Sequence, residues 1–125
     1  MCPRLSANEA RQRIRAKWAE LFKDYDVLLC PVTPTAAFPH DHGYQMARMI
    51  EVNGRPFPYM DQFFWAGIVG MAYLPSTTAP IGRTAAGLPV GMQIVGPYYG
   101  DLTTIRVAGL LREITGGFVP PPGYA

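Results

Sequence analysis

From residue 10 onward the chain places an apolar side chain every three or four positions: Ala10, Ile14, Trp18, Leu21, Phe22 and Tyr25. That spacing predicts a helix over 7–24, with Arg11, Arg15 and Glu20 on its other face. Ser6 and Glu9 stand at capping-box distance, so Ser6 is the expected N-cap. The pattern then changes. "DVLLC" (26–30) is a short unbroken apolar run closed by Pro31 and Pro34, as expected of a buried strand. Residues 31–45 carry no period and read as an irregular loop.

Asn53-Gly54 is the strongest two-residue hairpin signal in the chain, and Pro56 and Pro58 confine the second arm to an edge. Residues 60–73 are apolar on nearly all sides, which predicts a helix enclosed by other protein. "STTAPIG" (76–82) and "PVGMQIV" (89–95) read as two strands joined by "RTAAG". Asp101 is the expected N-cap of a helix over 102–115. Val107, Leu110, Leu111 and Ile114 fall on one face of it, and Gly116-Gly117 end it. Residues 118–125 form an extended tail. The order helix, strand, hairpin, helix, strand, strand, helix places the chain in the α/β or α+β class.

Composition narrows the reading. The 125 residues suggest one domain, and 49% hydrophobic against 16% charged residues is too apolar for disorder. A net charge of +2 is no footprint for nucleic acid. Arg11, Arg13, Arg15 and Lys17 form the only dense basic cluster and read as the solvated face of a helix. The longest apolar run, 63–74, is 12 residues, against the ~20 that a membrane span needs. No secretory signal is visible at the N-terminus. With Cys2 and Cys30 as the only thiols, this implies a reducing, cytoplasmic setting without disulfides. Cys2, near a terminus, is expected to be mobile. An enclosed helix, a sheet and two further helices are more than so short a chain can cover, so it reads as a piece of something larger.

Candidate chemistry is sparse. His40 and His42 are the only histidines, and two at i, i+2 without further ligands fall short of a zinc site. Cys30 and His40 could serve as nucleophile and base, but a cysteine ending an apolar strand acts more often as a small hydrophobe. Ser6 and Ser76 are the only serines, and neither sits in a nucleophile elbow. Lys17 and Lys23 are the only lysines, both on the first helix, where little burial is available to lower a pKa. The aromatics Tyr59, Phe63, Phe64 and Trp65 suit either core packing or a pocket wall.

Four blocks in order, "DYDVLLCPVTPTAAFPHDH", "VNGRPFPYMDQFFWAG", "LPSTTAPIGRTAAGLPVGMQIVGP" and "GDLTTIRVAGLL", resemble the C-terminal part of amidase-signature hydrolases. The resemblance runs from about Asn8 to about Leu111. It implies an α/β fold: part of an α/β/α sandwich on a mixed sheet, incomplete as a stand-alone domain, with residues 1–125 as one partial domain. It implies hydrolysis of a carboxamide by a serine nucleophile, a second serine in a cis peptide and a lysine base, with backbone amides stabilising the oxyanion. Those groups lie in an earlier part of the family's chain, so no catalytic residue is carried over to this one. No cofactor and no metal is implied.

What remains for this chain, by resemblance, is sheet strands and substrate-pocket wall. Thr33, Phe38, His40 and Trp65 are the expected lining, with a small amide as the parent enzyme's substrate. The expected partner is the missing N-terminal amidase portion or a second copy of the chain. A stand-alone homo-oligomeric binding module reusing this half-fold is the alternative reading, and a small hydrolase built on Cys30 and His40 is a third.

Overall fold

The computed structural model describes residues 3–124, so Cys2 lies outside the described residues. Helix α1 spans Pro3–Asp24. Proline suits a first helical turn, since its missing N–H has no helical partner there and its φ is already set. Ser6 therefore lies inside the helix rather than capping it, and the capping-box expectation is corrected. Trp18 and Phe22 stack at 5.9 Å and pack on the core. Arg11 and Arg15 share that face rather than the opposite one. Their guanidiniums sit 4.1 Å above the rings of Tyr73 and Tyr98. Stacking on aromatic rings lets an arginine serve as a packing residue. Ile14 and Leu21 are left at the surface.

Strands β1 (Leu28–Pro31), β4 (Ser76–Arg83) and β5 (Pro89–Val95) form an antiparallel sheet in the order β1-β5-β4. Cys30 and Thr78 both lie opposite Gln93. The central place of β5 explains why Gln93, Ile94 and Val95 are buried in succession. Alternation along the strands sends Leu28, Cys30 and Val95 toward Trp18, Phe22, Trp65 and Val69. Ile94, Thr77 and Ala79 point to the other face, where helix α3 (Asp101–Thr115) lies on β4 and β5. Helices thus cover both faces of the sheet.

Asp101 is the first helical residue of α3, not its cap. Gly100 takes the cap position and offers no side chain. Thr104 anchors this end instead. It is buried, its hydroxyl donates to the Asp101 carbonyl at 2.8 Å, and its oxygen lies 2.8 Å from the Thr77 hydroxyl. Replacing Thr104 by valine keeps the shape and leaves Thr77 without this partner. A loss of ~1–2 kcal/mol is expected in urea titrations. The face turned to the sheet carries Thr104, Val107, Ala108, Leu111 and Thr115. Leu110 and Ile114, expected on that face, are exposed, Ile114 by 83%. Gly116 ends the helix with φ 79°, as the sequence indicates.

A separate hairpin pairs β2 (Met49–Val52) with β3 (Arg55–Pro58). Its turn has φ 52° at Asn53 and 75° at Gly54, the left-handed pair of a type I′ turn. The helix expected over 60–73 is shorter. A 3₁₀ segment, Tyr59–Phe63, leads into α2 (Phe64–Gly70). Only Val69 of α2 is buried, and Phe64 is 59% exposed. The expectation of an enclosed helix therefore fails within this chain. The same point holds for the whole surface. A folded monomer of this mass exposes roughly 6,600 Å², whereas the 13.8 kDa chain exposes 9334 Å². Residues 116–124 carry no regular element.

Candidate functional site

The loop leaving β1 shapes the concave surface. Pro31 and Pro34 stop the strand, and the Thr33 hydroxyl donates to the Thr35 carbonyl at 2.8 Å, which tightens the turn. Between this loop and the turn end of the β4–β5 hairpin lies a cleft of about 570 Å³. Leu29, Thr33, Thr35, Ile81 and Met92 border it. Gly91 belongs to its floor, where an added Cβ would stand 3.0 Å from Thr78 Cγ2. The size and the mostly apolar lining with a few hydroxyls suit a small organic ligand.

Further clefts open from the same loop. Phe38 and His40 border one of about 410 Å³, together with His42, Arg48 and Tyr59. Trp65 borders another of about 360 Å³, with Pro34, Phe57 and Phe64. The structure therefore distributes Thr33, Phe38, His40 and Trp65 over several clefts rather than one. Ala37 joins the first to the second, and Pro34 joins the first to the third.

Cys30 is buried, and its Sγ accepts a hydrogen bond from Gln93 Nε2 at 3.6 Å. Burial pushes the thiol pKa up, and the Gln93 contact opposes this more weakly. His40 borders a different cleft, and among the described residues the partner of the sulfur is Gln93 rather than a base. A raised folded-state pKa favours the protonated thiol. Its stabilising effect is complete below the unfolded value and is lost as pH rises through the folded one. Iodoacetamide is therefore expected to label native Cys30 far more slowly than the urea-unfolded chain at pH 8. Equal rates would show that the thiol is open.

The His40 and His42 rings lie edge to face at 6.1 Å. Among the described residues, no group of three His, Cys, Asp or Glu side chains could hold a metal ion. Ser76 opens β4, whereas Lys17 and Lys23 are exposed on α1, Lys23 paired with Glu20 at 2.7 Å. No described helix is long and apolar enough to cross a membrane.

Sequence reasoning missed Arg48 and its pairing with Tyr59, although the hairpin held the signal. With Met49 opposite Pro58, the next pair outward is Arg48 and Tyr59, and the Tyr59 amide donates to the Arg48 carbonyl at 3.0 Å.

Comparison with known proteins gives consistent results. The Amidase family model matches residues 2–105. The A subunit of the glutamyl-tRNA(Gln) amidotransferase from Rhodospirillum rubrum is 33% identical over 121 residues, 96% of this chain and 22% of that protein. Its counterpart from Anaeromyxobacter sp. is 34% identical over 94% of this chain and 22% of its own length. Among solved structures, one is described as an unexpected vestigial protein complex that reveals the evolutionary origins of an s-triazine catabolic enzyme. One of its chains superposes with a TM-score of 0.73 and 30% identity, over 90% of this chain and 24% of its own. A crystal structure of an amidase superposes with a TM-score of 0.70 and 25% identity, over 85% of this chain and 23% of its own. The chain thus spans about a fifth of the length of the curated relatives it matches.

Proposed function

Because this chain belongs to the amidase family, we propose that it serves as one part of an amide hydrolase. It supplies sheet strands and substrate-pocket wall to a site whose serine nucleophile and lysine base come from the rest of the fold. The reaction is hydrolysis of a carboxamide to a carboxylate and an amine or ammonia. The cleft of about 570 Å³ beside β4 and β5 carries this reading. It has the size and lining of an acyl pocket, while Cys30, the thiol on its border, is buried and bonded to Gln93.

The uncovered surface supports the same reading. Phe63 and Phe64 beside α2, Leu29 on the outer strand, and Leu110 and Ile114 on α3 are all exposed. Apolar surface on that scale is a mark of a covered face. In this reading the remainder of the amidase fold covers it and extends the three strands into a larger mixed sheet.

Adding hexanamide, a neutral aliphatic amide, is expected to shift the backbone amide resonances of Thr33, Val90 and Met92 saturably. Shifts confined to other surfaces, or none at millimolar amide, would count against the pocket-wall role.

A further inference from the structure

The second cleft contains an arginine whose surroundings hold it in place and leave its outer nitrogens unused. Arg48 is half-buried. Its Nε donates to the Gly43 carbonyl at 2.8 Å, and its guanidinium lies 5.3 Å from the centre of the Tyr59 ring. Its backbone is fixed on both sides: its amide donates to the Gln45 carbonyl and its carbonyl accepts from Tyr59. Among the described residues the ion pairs join Arg13 to Glu9 and Lys23 to Glu20, so Arg48 has no acidic partner.

An arginine anchored through Nε and one ring face keeps the Nη1 and Nη2 edge for a ligand. That edge offers two parallel donors in the geometry a carboxylate accepts. His40 and His42 line the same cleft, and Phe38, Pro39 and Tyr59 provide an apolar wall. The Phe38 and Tyr59 rings meet edge to face at 6.1 Å. The one acid on the border, Asp41, has its Oδ1 occupied by the Gly43 amide at 2.7 Å. That contact shapes the turn presenting the Gly43 carbonyl to Arg48. Glu51 belongs to an adjoining cleft.

We infer that Arg48, held between Tyr59 and the Gly43 carbonyl, forms with His40, His42 and Phe38 a binding site for an organic carboxylate carrying an aryl or short alkyl group. The carboxylate takes the guanidinium edge, and the apolar body lies against Phe38, Pro39 and Tyr59. The inference goes beyond the amide-pocket reading and stands without it, since it needs no hydrolysis and uses a different cleft.

The test is titration of the full chain with benzoate, benzamide and inorganic phosphate, followed by amide resonances and by the Arg48 Nε–H signal. Benzoate is expected to shift Gly43, Arg48 and Tyr59 saturably. Benzamide should leave these signals in place, and phosphate should bind several-fold more weakly than benzoate because it gains nothing from the apolar wall. Arg48→Gln is expected to weaken benzoate by about tenfold or more, with Arg48→Lys between the two, as loss of the paired donors dictates. If Arg48→Gln does not fold, the wild-type contrast between benzoate and benzamide at these resonances decides alone. Equal effects of benzoate and benzamide, equal binding of phosphate and benzoate, or undiminished binding by Arg48→Gln would each overturn the assignment. Hexanamide shifts at Thr33 and Met92 report the other cleft, so the two readings can fail separately.

Discussion

Ile94→Ala is expected to lower the unfolding free energy by about 3–4 kcal/mol, within the range for a fully enclosed large aliphatic side chain. Ile94 is 0% exposed and sits on the central strand, on the face that carries α3. Truncation leaves a cavity between two layers that cannot close, because β5 is pinned by β1 on one side and β4 on the other. Small domains hold only about 5–15 kcal/mol in total, and this chain buries less surface than its mass allows. The variant is therefore expected to be largely unfolded at 37 °C. Ile94→Val, which removes one methyl group, should cost only ~1 kcal/mol. Urea titration followed by far-UV circular dichroism measures both. A cost below 1 kcal/mol for the alanine variant would place the core elsewhere.

Gly96→Ala is expected to be nearly as harmful, for a steric reason. A Cβ at Gly96 would stand 2.6 Å from Thr104 Cγ2 and 3.3 Å from the Gly100 carbonyl oxygen. Thr104 cannot rotate away without giving up its contacts with Thr77 and the Asp101 carbonyl. Overpacking of this kind costs about 2–3 kcal/mol. Thr104→Ser removes the clashing methyl and keeps the hydroxyl. The double variant should therefore regain at least about 1 kcal/mol relative to Gly96→Ala, a coupling that a double-mutant cycle reads directly. Gly91→Ala, whose Cβ would meet Thr78 Cγ2 at 3.0 Å, is expected to cost less, because Thr78 is exposed and free to move. Independent, additive losses at Gly96 and Thr104 would contradict the close contact between the β5–α3 turn and the helix.

Much of the architecture was legible because local chemistry and tertiary structure agree. Asn53-Gly54 specifies a type I′ turn, and the hairpin forms there with both residues at positive φ. The short apolar runs at 28–31 and 89–95 are strands because prolines bound them and the sheet needs a doubly flanked centre. What was not legible depends on contacts distant in sequence. The capping box at Ser6 is a local signal that the helix overruns, because Pro3 already supplies a first turn. Arg11 and Arg15 look solvated by residue type, but Tyr73 and Tyr98, far along the chain, draw them onto the packed face. Residues 60–73 are apolar on nearly all sides and read as an enclosed helix, yet the described residues leave Phe63 and Phe64 exposed. The same applies to Ile114 on α3. In each case the hydrophobic pattern calls for a neighbour that the described residues do not supply. The expected lining residues Thr33, Phe38, His40 and Trp65 read as one pocket, but a sequence does not say how one loop divides the space around it into several clefts.

The central claim is that this chain carries pocket wall without the chemistry of amide hydrolysis and needs further protein to cover its apolar faces. Hydrolysis of a panel of aliphatic and aryl amides by the purified chain, with the mass measured by light scattering on the same sample, tests both halves at once. The account predicts no turnover and a species heavier than 13.8 kDa, as the uncovered faces seek a partner. Turnover by a clean 13.8 kDa monomer would contradict it, and Cys30 would then be the first residue to replace.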